Sequence, residues 1–106
     1  MNDGIIVLTT ASSEEEAVRI GRALVDERLA ACVNIVPAVR SLFFWEGKTQ
    51  DSPESLLICK SRKPLVEQII RRVKSLHSYS VPEIIALPII AGSSDYLDWV
   101  KDSTSR

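Results

Sequence analysis

The hydrophobic pattern changes its period several times along this chain, and the order of those changes limits the folds that the chain can adopt. The apolar run at residues 5–8 has the length of a strand buried on both faces, which predicts a central strand. Ser12 and Ser13 followed by glutamates, and then apolar residues about 3.6 apart, predict a helix that extends to about Leu29. Gly21 inside that helix indicates a close approach to the sheet.

Two extended segments follow, at 32–45 and 54–60, and the polar stretch 46–53 between them predicts a hairpin with a long loop. Pro37 has no backbone N–H to donate to a neighbouring strand, so we expect a bulge or bend there. Pro64 precedes a strongly amphipathic second helix. A fourth strand at 83–90 and a short last helix complete the predicted elements.

The resulting order, β-α-β-β-α-β plus a terminal helix, is typical of the α+β class. It predicts a ferredoxin-like split βαβ sandwich, in which two helices cover one face of a four-stranded antiparallel sheet. We expect residues 1–106 to form a single domain, with a polar and frayed tail at 101–106.

The second strand contains a run of four large apolar residues at 42–45, which breaks the period-two alternation. Both faces of this run therefore require burial, whereas a ferredoxin-like sheet has helices on one face only. The segment 33–46 would also extend about 45 Å, more than the roughly 35 Å diameter of a compact chain of this size. We expect sister chains to cover it; the alternative is that the last helix, with Tyr96 and Trp99, folds over it.

The charge balance excludes some classes of protein. The net charge of −1 disfavours a nucleic-acid binder, which carries a clustered basic face. No apolar run approaches the roughly 20 residues that span a bilayer, and no leader pattern opens the chain, so we expect a soluble cytoplasmic protein that does not enter membranes.

The two cysteines are expected to lie far apart. The predicted hairpin turns near residues 49–50, which would separate Cys32 from Cys59 by over ~20 Å and prevent a disulfide.

No catalytic set stands out, so the sequence indicates a protein that is not an enzyme. Phosphate-cradling loops and nucleophile-elbow glycines are both missing from the sequence. His77 is the one side chain that titrates near neutral pH and could bind a metal, although it could equally form hydrogen bonds at the helix end. Glu83 is a ligand candidate or a loop anchor, and Cys32 is a soft donor or a small buried residue.

Four segments, LAACVN at 29–34, SLFFWEGK at 41–48, HSYSVPE at 77–83 and YLDW at 96–99, closely resemble the CutA divalent-cation tolerance proteins. The resemblance implies a ferredoxin-like fold and a homotrimer of P-II-like architecture, with hairpins that pair between subunits and clefts at the subunit boundaries. It also implies an association with copper and other divalent cations, and no established enzymatic activity.

The resemblance and the residues together lead to a set of site expectations. The expected metal ligands, for copper or another divalent cation not required for folding, are His77, Glu83 and Cys32. The expected ligand-cleft residues are Lys60, Tyr79, Trp45 and Glu54, and the expected interface residues are Leu42, Phe43, Phe44, Trp45 and Trp99. The chain departs from the family pattern at Thr9 and Leu76, where some members have a proposed cysteine donor and a second histidine, and at Ser78, where most have proline. The alternative function is a P-II-like sensor of a small anionic or nucleotide-like molecule, with Lys60 as its charge partner.

Overall fold

A computed structural model describes residues 2–105 of the chain. The elements are β1 (Gly4–Ala11), α1 (Glu14–Asp26), β2 (Cys32–Trp45), β3 (Lys48–Arg62), α2 (Val66–Leu76), β4 (Ile84–Pro88) and α3 (Ser94–Ser103). A short 3-10 turn, Lys63–Leu65, carries Pro64 into α2. The predicted order of elements is therefore confirmed.

The four strands form one antiparallel sheet in the order β2-β3-β1-β4, so β1 is an interior strand as predicted. The helices α1 and α2 cover one face, where alternate strand residues such as Val7, Leu57 and Cys59 pack against Ile20 and Ile69. The third helix, α3, lies on the opposite face: a Cβ at Gly4 would come within 3.6 Å of Leu97 Cδ2. No helix within residues 2–105 is long and apolar enough to cross a membrane.

Helix α1 begins where its polar signal predicts and ends earlier than expected. The Ser13 hydroxyl accepts a hydrogen bond from the Glu16 N–H at 3.1 Å, which caps the first turn. The helix ends at Asp26 because Arg28 adopts a φ of 59° and the next N–H turns back to the Leu24 carbonyl at 2.9 Å. This Schellman-type end is not signalled in the sequence, because its left-handed position carries arginine rather than glycine.

Gly21 has the role that its position predicts. A Cβ at this residue would lie 3.1 Å from Val33 Cγ1 and 3.7 Å from Leu57 Cδ2. The missing side chain lets α1 lie close to β2 and β3, so the cost in helix propensity is offset by packing.

The predicted long hairpin loop is wrong. The turn consists of Glu46 and Gly47, with φ of 52° and 79°, and β3 begins at Lys48 rather than at residue 54. The predicted separation of the cysteines is wrong for the same reason, because Val33 pairs with Cys59 and Cys32 with the next residue along β3. Both thiols are free, and adjacent positions on a strand direct their side chains to opposite faces of the sheet.

The bulge predicted at Pro37 is confirmed. The register of β2 against β3 shifts between Val36 and Val39, and the Ser55 hydroxyl donates to the Pro37 carbonyl at 2.8 Å. The bulge divides the hairpin into an inner half that belongs to the sheet and an outer half that extends beyond it, which gives the molecule its longest dimension of 44 Å.

The outer half of the hairpin is not covered by α3, so the intramolecular alternative is wrong. Leu42 and Phe44 are 66% and 74% exposed, and Trp99 on α3 is itself 46% exposed. The helix instead packs where β1 begins and β3 ends. There Thr104 is buried and accepts a hydrogen bond from Arg62 Nε at 2.8 Å, so the tail is ordered through this residue rather than frayed. Arg106, also part of the predicted tail, lies outside the described residues.

Candidate functional site

A groove of about 660 Å³ lies between the outer half of the hairpin and the loop that joins α2 to β4. It brings together side chains from β1, β2, β3 and that loop. The lining residues are Thr10, Ser41, Leu42, Phe43, Trp45, Glu46, Gln50, Ser52, Glu54, Tyr79, Ser80, Val81 and Glu83.

His77 fixes the loop side of this groove through its ring. Nε2 lies 2.7 Å from the Thr10 carbonyl, and because a carbonyl can only accept, this nitrogen carries the proton. Nδ1 then accepts the Tyr79 N–H at 3.0 Å. With 0% of the side chain exposed and both nitrogens hydrogen-bonded, the neutral ring has no free lone pair for a metal. His77 thus makes the hydrogen bonds that the alternative interpretation expected at the end of α2.

Glu16, which the sequence marked only as a helix-capping residue, holds the same loop from the other side. Its carboxylate accepts from the Ser12 N–H at 3.0 Å and from the Ser78 N–H at 2.9 Å. Burial raises the pKa of Glu16, but the hydrogen bonds from Ser12 and Ser78 outweigh burial and leave the pKa below its ordinary value. The carboxylate is therefore charged, and it ties the start of α1 to the loop after α2.

Tyr79 connects this loop to the hairpin. Its hydroxyl donates to Glu54 Oε2 at 2.9 Å, and its ring lies 4.8 Å from the His77 ring, centroid to centroid. Burial and then the adjacent Glu54 carboxylate raise the pKa of Tyr79 to about 12. Tyr79 is consequently a neutral donor, and it does not supply a base or a nucleophile.

The charge of the groove has one sign. Glu46, Glu54 and Glu83 line it, and no lysine or arginine does. Nor does any ion pair reach these three carboxylates among residues 2–105. A cation is the kind of ligand that complements such a lining, whereas an anion would be repelled.

The structure brings together only part of the expected site. Trp45, Glu54, Tyr79 and Glu83 meet in the groove. Cys32 and Lys60 pair with each other across β2 and β3, outside the groove lining, and Lys60 donates a hydrogen bond to Asn34. Their cross-strand pair lies four residues along β3 from Leu56, the partner of Thr10, which amounts to about 13 Å.

Within the described chain no three or more His, Cys, Asp or Glu side chains are arranged to hold a metal ion. One reason is that His77 is saturated by the backbone, and another is that Cys32 lies elsewhere on the sheet. A single copy of the chain therefore offers carboxylates to a cation but no complete set of ligands.

The sequence did not predict Glu46, Gln50 and Ser52 as groove residues, because the polar stretch 46–53 was expected to form a long loop. The two-residue turn instead contains Glu46, and it places Gln50 and Ser52 on β3, where they pair with β2. The available signal was Glu46-Gly47 directly after an apolar segment, which resembles the Asn-Gly and Asp-Gly hairpin turns without matching them.

Comparison with known proteins gives consistent results. Residues 5–103 match the family model described as CutA1 divalent ion tolerance protein. The chain is 50% identical over 99 residues to the divalent-cation tolerance protein CutA of Thermus thermophilus, covering 93% of this chain and 96% of that protein. The solved Thermus thermophilus Cut A1 structure superposes with a TM-score of 0.94 at 48% identity, covering 96% of this chain and 99% of that one.

A plant relative shows how much longer some of these proteins are. The chloroplastic CutA protein of Arabidopsis thaliana is 48% identical over 100 residues, which cover 94% of this chain but 55% of the plant protein. The chain thus spans about half the length of the plant relatives that it matches. The match over nearly all of this chain, its identity to these relatives and its superposition on a solved structure agree. The chain belongs to the CutA1 divalent ion tolerance protein family.

Proposed function

We propose that the chain acts in the cytoplasm as a non-enzymatic divalent-cation tolerance protein. In this proposal it works as a homotrimer, and copper or another divalent cation binds weakly in grooves that neighbouring subunits complete. The observation that carries the proposal is the acidic groove beside an uncovered apolar hairpin, because each of the two features needs a second chain to become complete.

The hairpin supports assembly in two ways. Its outer half exposes Leu42, Phe43, Phe44 and Trp45, and part of this apolar surface would be buried against another subunit, with Phe43 and Trp45 still lining the groove. In addition, β2 is an edge strand of 14 residues, so one side of its backbone has no partner within the sheet. A long apolar edge of this kind favours pairing with another copy of the chain.

Weak and subunit-dependent cation binding follows from the donors in the groove. Glu46, Glu54 and Glu83 attract cations, yet no group of three donors within residues 2–105 is arranged to hold a metal. Carboxylates at the seam between two subunits would bind divalent ions with modest selectivity. His77 would join them only if its bonds to Thr10 and Tyr79 were broken.

The cytoplasmic location is supported by chemistry rather than by the relatives, since both plant proteins are named as chloroplastic. Cys32 and Cys59 are both free thiols, the state that a reducing compartment maintains. The charge of the groove favours cation binding over the P-II-like alternative, since Lys60, the expected partner of an anion, does not line it.

Light scattering at micromolar concentration tests the assembly. We expect a species of about three times the chain mass of 11.8 kDa, and we expect Phe44→Asp to dissociate it because a charge replaces an exposed aromatic at the proposed seam. Val18→Asp changes an exposed apolar residue on α1 in the same way and should leave the mass unchanged. A folded wild-type species of single-chain mass would contradict the proposal.

Calorimetric titration with copper, zinc and manganese ions tests the cation site. Wild-type protein should bind with weak affinity, and Glu83→Gln should reduce that affinity because one groove carboxylate is lost. Glu67→Gln, which removes an exposed carboxylate on α2, is the matched control and should not change it. If monomeric Phe44→Asp bound the same ions as tightly as the wild type, binding would not depend on subunit contacts.

A further inference from the structure

Among the three acidic residues that line the groove, Glu54 is the one whose carboxylate is buried. The residue is 7% exposed, and its one hydrogen bond within the described chain comes from the neutral Tyr79 hydroxyl to Oε2. No Lys, Arg or His nitrogen approaches it within the 4.0 Å of an ion pair among residues 2–105. Buried charges are usually paired, so a cation from outside the chain would complement this carboxylate.

Tyr79 cannot supply that compensation. Burial and the Glu54 carboxylate raise its pKa to about 12, so the hydroxyl remains a neutral donor at physiological pH. Its single proton is already directed to Oε2 at 2.9 Å. Oε1 has no hydrogen-bond partner among the described residues and belongs to a side chain that lines the groove.

The walls around Glu54 indicate which kind of cation fits. Phe43, Trp45 and Tyr79 line the same groove, and aromatic faces attract alkylammonium groups through their quadrupoles. A metal ion would instead need several oxygen, nitrogen or sulfur donors in one place, which the described chain does not gather. The combination of one buried carboxylate with aromatic walls therefore suits an organic ammonium ion.

Two further carboxylates extend the same pattern along the groove. Glu46 lies at the hairpin turn and Glu83 at the start of β4, and both are exposed while Glu54 is buried. A ligand with several cationic centres on a flexible apolar chain would meet all three carboxylates. The groove volume of about 660 Å³ accommodates such a chain.

We propose that this groove binds a linear polyamine. One primary ammonium group donates to Glu54 Oε1 between the aromatic rings, and the remaining ammonium groups lie against Glu46 and Glu83. The methylene segments pack on Trp45 and Phe43. The inference rests on the groove of the proposed function but not on its metal, and it adds an organic cation as the ligand class.

Calorimetry with spermidine on the full chain in its natural assembly tests this inference. We expect saturable binding, with an affinity that falls about tenfold or more in Glu54→Gln because an ion pair becomes a weaker contact between an ammonium ion and a neutral amide oxygen. Trp45→Leu should also weaken binding, by removing an aromatic wall while keeping every charge. Glu67→Gln changes the net charge as Glu54→Gln does, far from the groove, and should bind like the wild type.

Two probes separate recognition from simple charge attraction. Hexaamminecobalt(III) carries the same charge as spermidine without the alkyl chain, and 1,4-butanediol carries an alkyl chain without the charge. We expect each of the two probes to bind more weakly than spermidine. Equal binding of the cobalt complex, equal weakening by Glu67→Gln, or no spermidine binding would each overturn the inference. Circular dichroism of each variant verifies that it is folded.

Failure of this inference is distinguishable from failure of the proposed function. Light scattering and divalent-metal titration on the same samples report assembly and metal binding directly. A trimer that binds divalent metals but not spermidine would remove the polyamine inference alone. Spermidine binding that Glu54→Gln abolishes, in a protein that neither trimerises nor binds divalent metals, would support the inference and remove the proposed function.

Discussion

Glu16 shows how one side chain can serve local and tertiary structure at once. Its backbone N–H receives the Ser13 cap, while its carboxylate, 4% exposed as a residue, accepts N–H groups from Ser12 and Ser78. Ser12 precedes α1 and Ser78 follows α2, so the carboxylate connects two segments 66 residues apart. The loop that carries His77 and Tyr79 is held by this charge.

Replacing Glu16 with Gln should make stability less dependent on pH. The folded-state pKa is depressed, so the carboxylate stabilises the fold fully above its ordinary pKa of 4.5, and that stabilisation is lost as the pH falls through the lower folded value. In urea denaturation we expect Glu16→Gln to be less stable than the wild type near neutral pH, with the difference shrinking in acid. Glu15→Gln, at an exposed position in the same turn, is the control; an equal pH response in both variants would contradict the assignment.

Thr9, unlike Glu16, has a buried polar side chain that the described residues leave without a hydrogen bond. Its hydroxyl is buried without a hydrogen-bond partner within residues 2–105. We expect Thr9→Val to raise the free energy of unfolding by about 1 kcal/mol, because an unpaired buried hydroxyl is replaced by a methyl group of similar size. Thr49→Val on the exposed hairpin should change stability little. A loss of stability in Thr9→Val would indicate that the hydroxyl has a partner in solution.

At the scale of elements, two non-glycine residues in the left-handed conformation lie where elements end. Arg28 at the end of α1 has a φ of 59°, and Glu46 in the hairpin turn has a φ of 52°. Both positions favour glycine or asparagine, and neither carries one. The chain tolerates this because the Schellman hydrogen bonds and the ladder on either side of the turn hold the backbone in place.

Arg28→Gly should therefore stabilise the protein. Glycine has no Cβ to strain at this φ, and we expect a gain of about 0.5–1 kcal/mol after its greater entropy in the unfolded chain is included. Arg28→Ala is the matched control, because it removes the same side chain, including its bond to the Ser105 carbonyl, but keeps the Cβ. Thermal unfolding of both variants measures the difference, and an equal effect would assign it to the lost side chain instead.

At the scale of the whole molecule, the hairpin extends well beyond the sandwich. The chain measures 44 × 25 × 22 Å, and the exposed aromatic residues lie on the outer half of the hairpin. The buried core, by contrast, is confined to the inner half of the sheet and the two helices that cover it. The core of one copy is complete within the sandwich, whereas the apolar surface of its outer hairpin is left exposed.

The melting temperature should consequently depend on protein concentration. If subunits stabilise each other, mass action raises the melting temperature as concentration increases. We expect this rise in wild-type protein across a hundredfold range and its absence in Phe44→Asp, with Val18→Asp behaving as the wild type. A melting temperature that does not change with concentration would mean that the hairpin contributes nothing to stability through assembly.

Features that depend on neighbours in sequence were predictable. The Ser13 cap, the helical stripes of α1 and α2, the close approach at Gly21 and the bulge at Pro37 each follow from local backbone chemistry or from a period of the pattern. Together they determined the order of elements and hence the ferredoxin-like sandwich. The expectation that Trp45, Glu54, Tyr79 and Glu83 belong to the site depended on the family resemblance rather than on these local features, and all four line the groove.

Only the tertiary structure decided what those residues can do. The hairpin turn depended on a glutamate in a left-handed conformation that its residue type does not signal, and its length set the register that puts Glu46 beside the groove and Lys60 away from it. The His77 ring is saturated by Thr10, 67 residues away, so its availability to a metal could not be judged from its own segment. Local periodicity determines which elements form, whereas hydrogen-bond saturation and the charge of a groove depend on which distant segments meet.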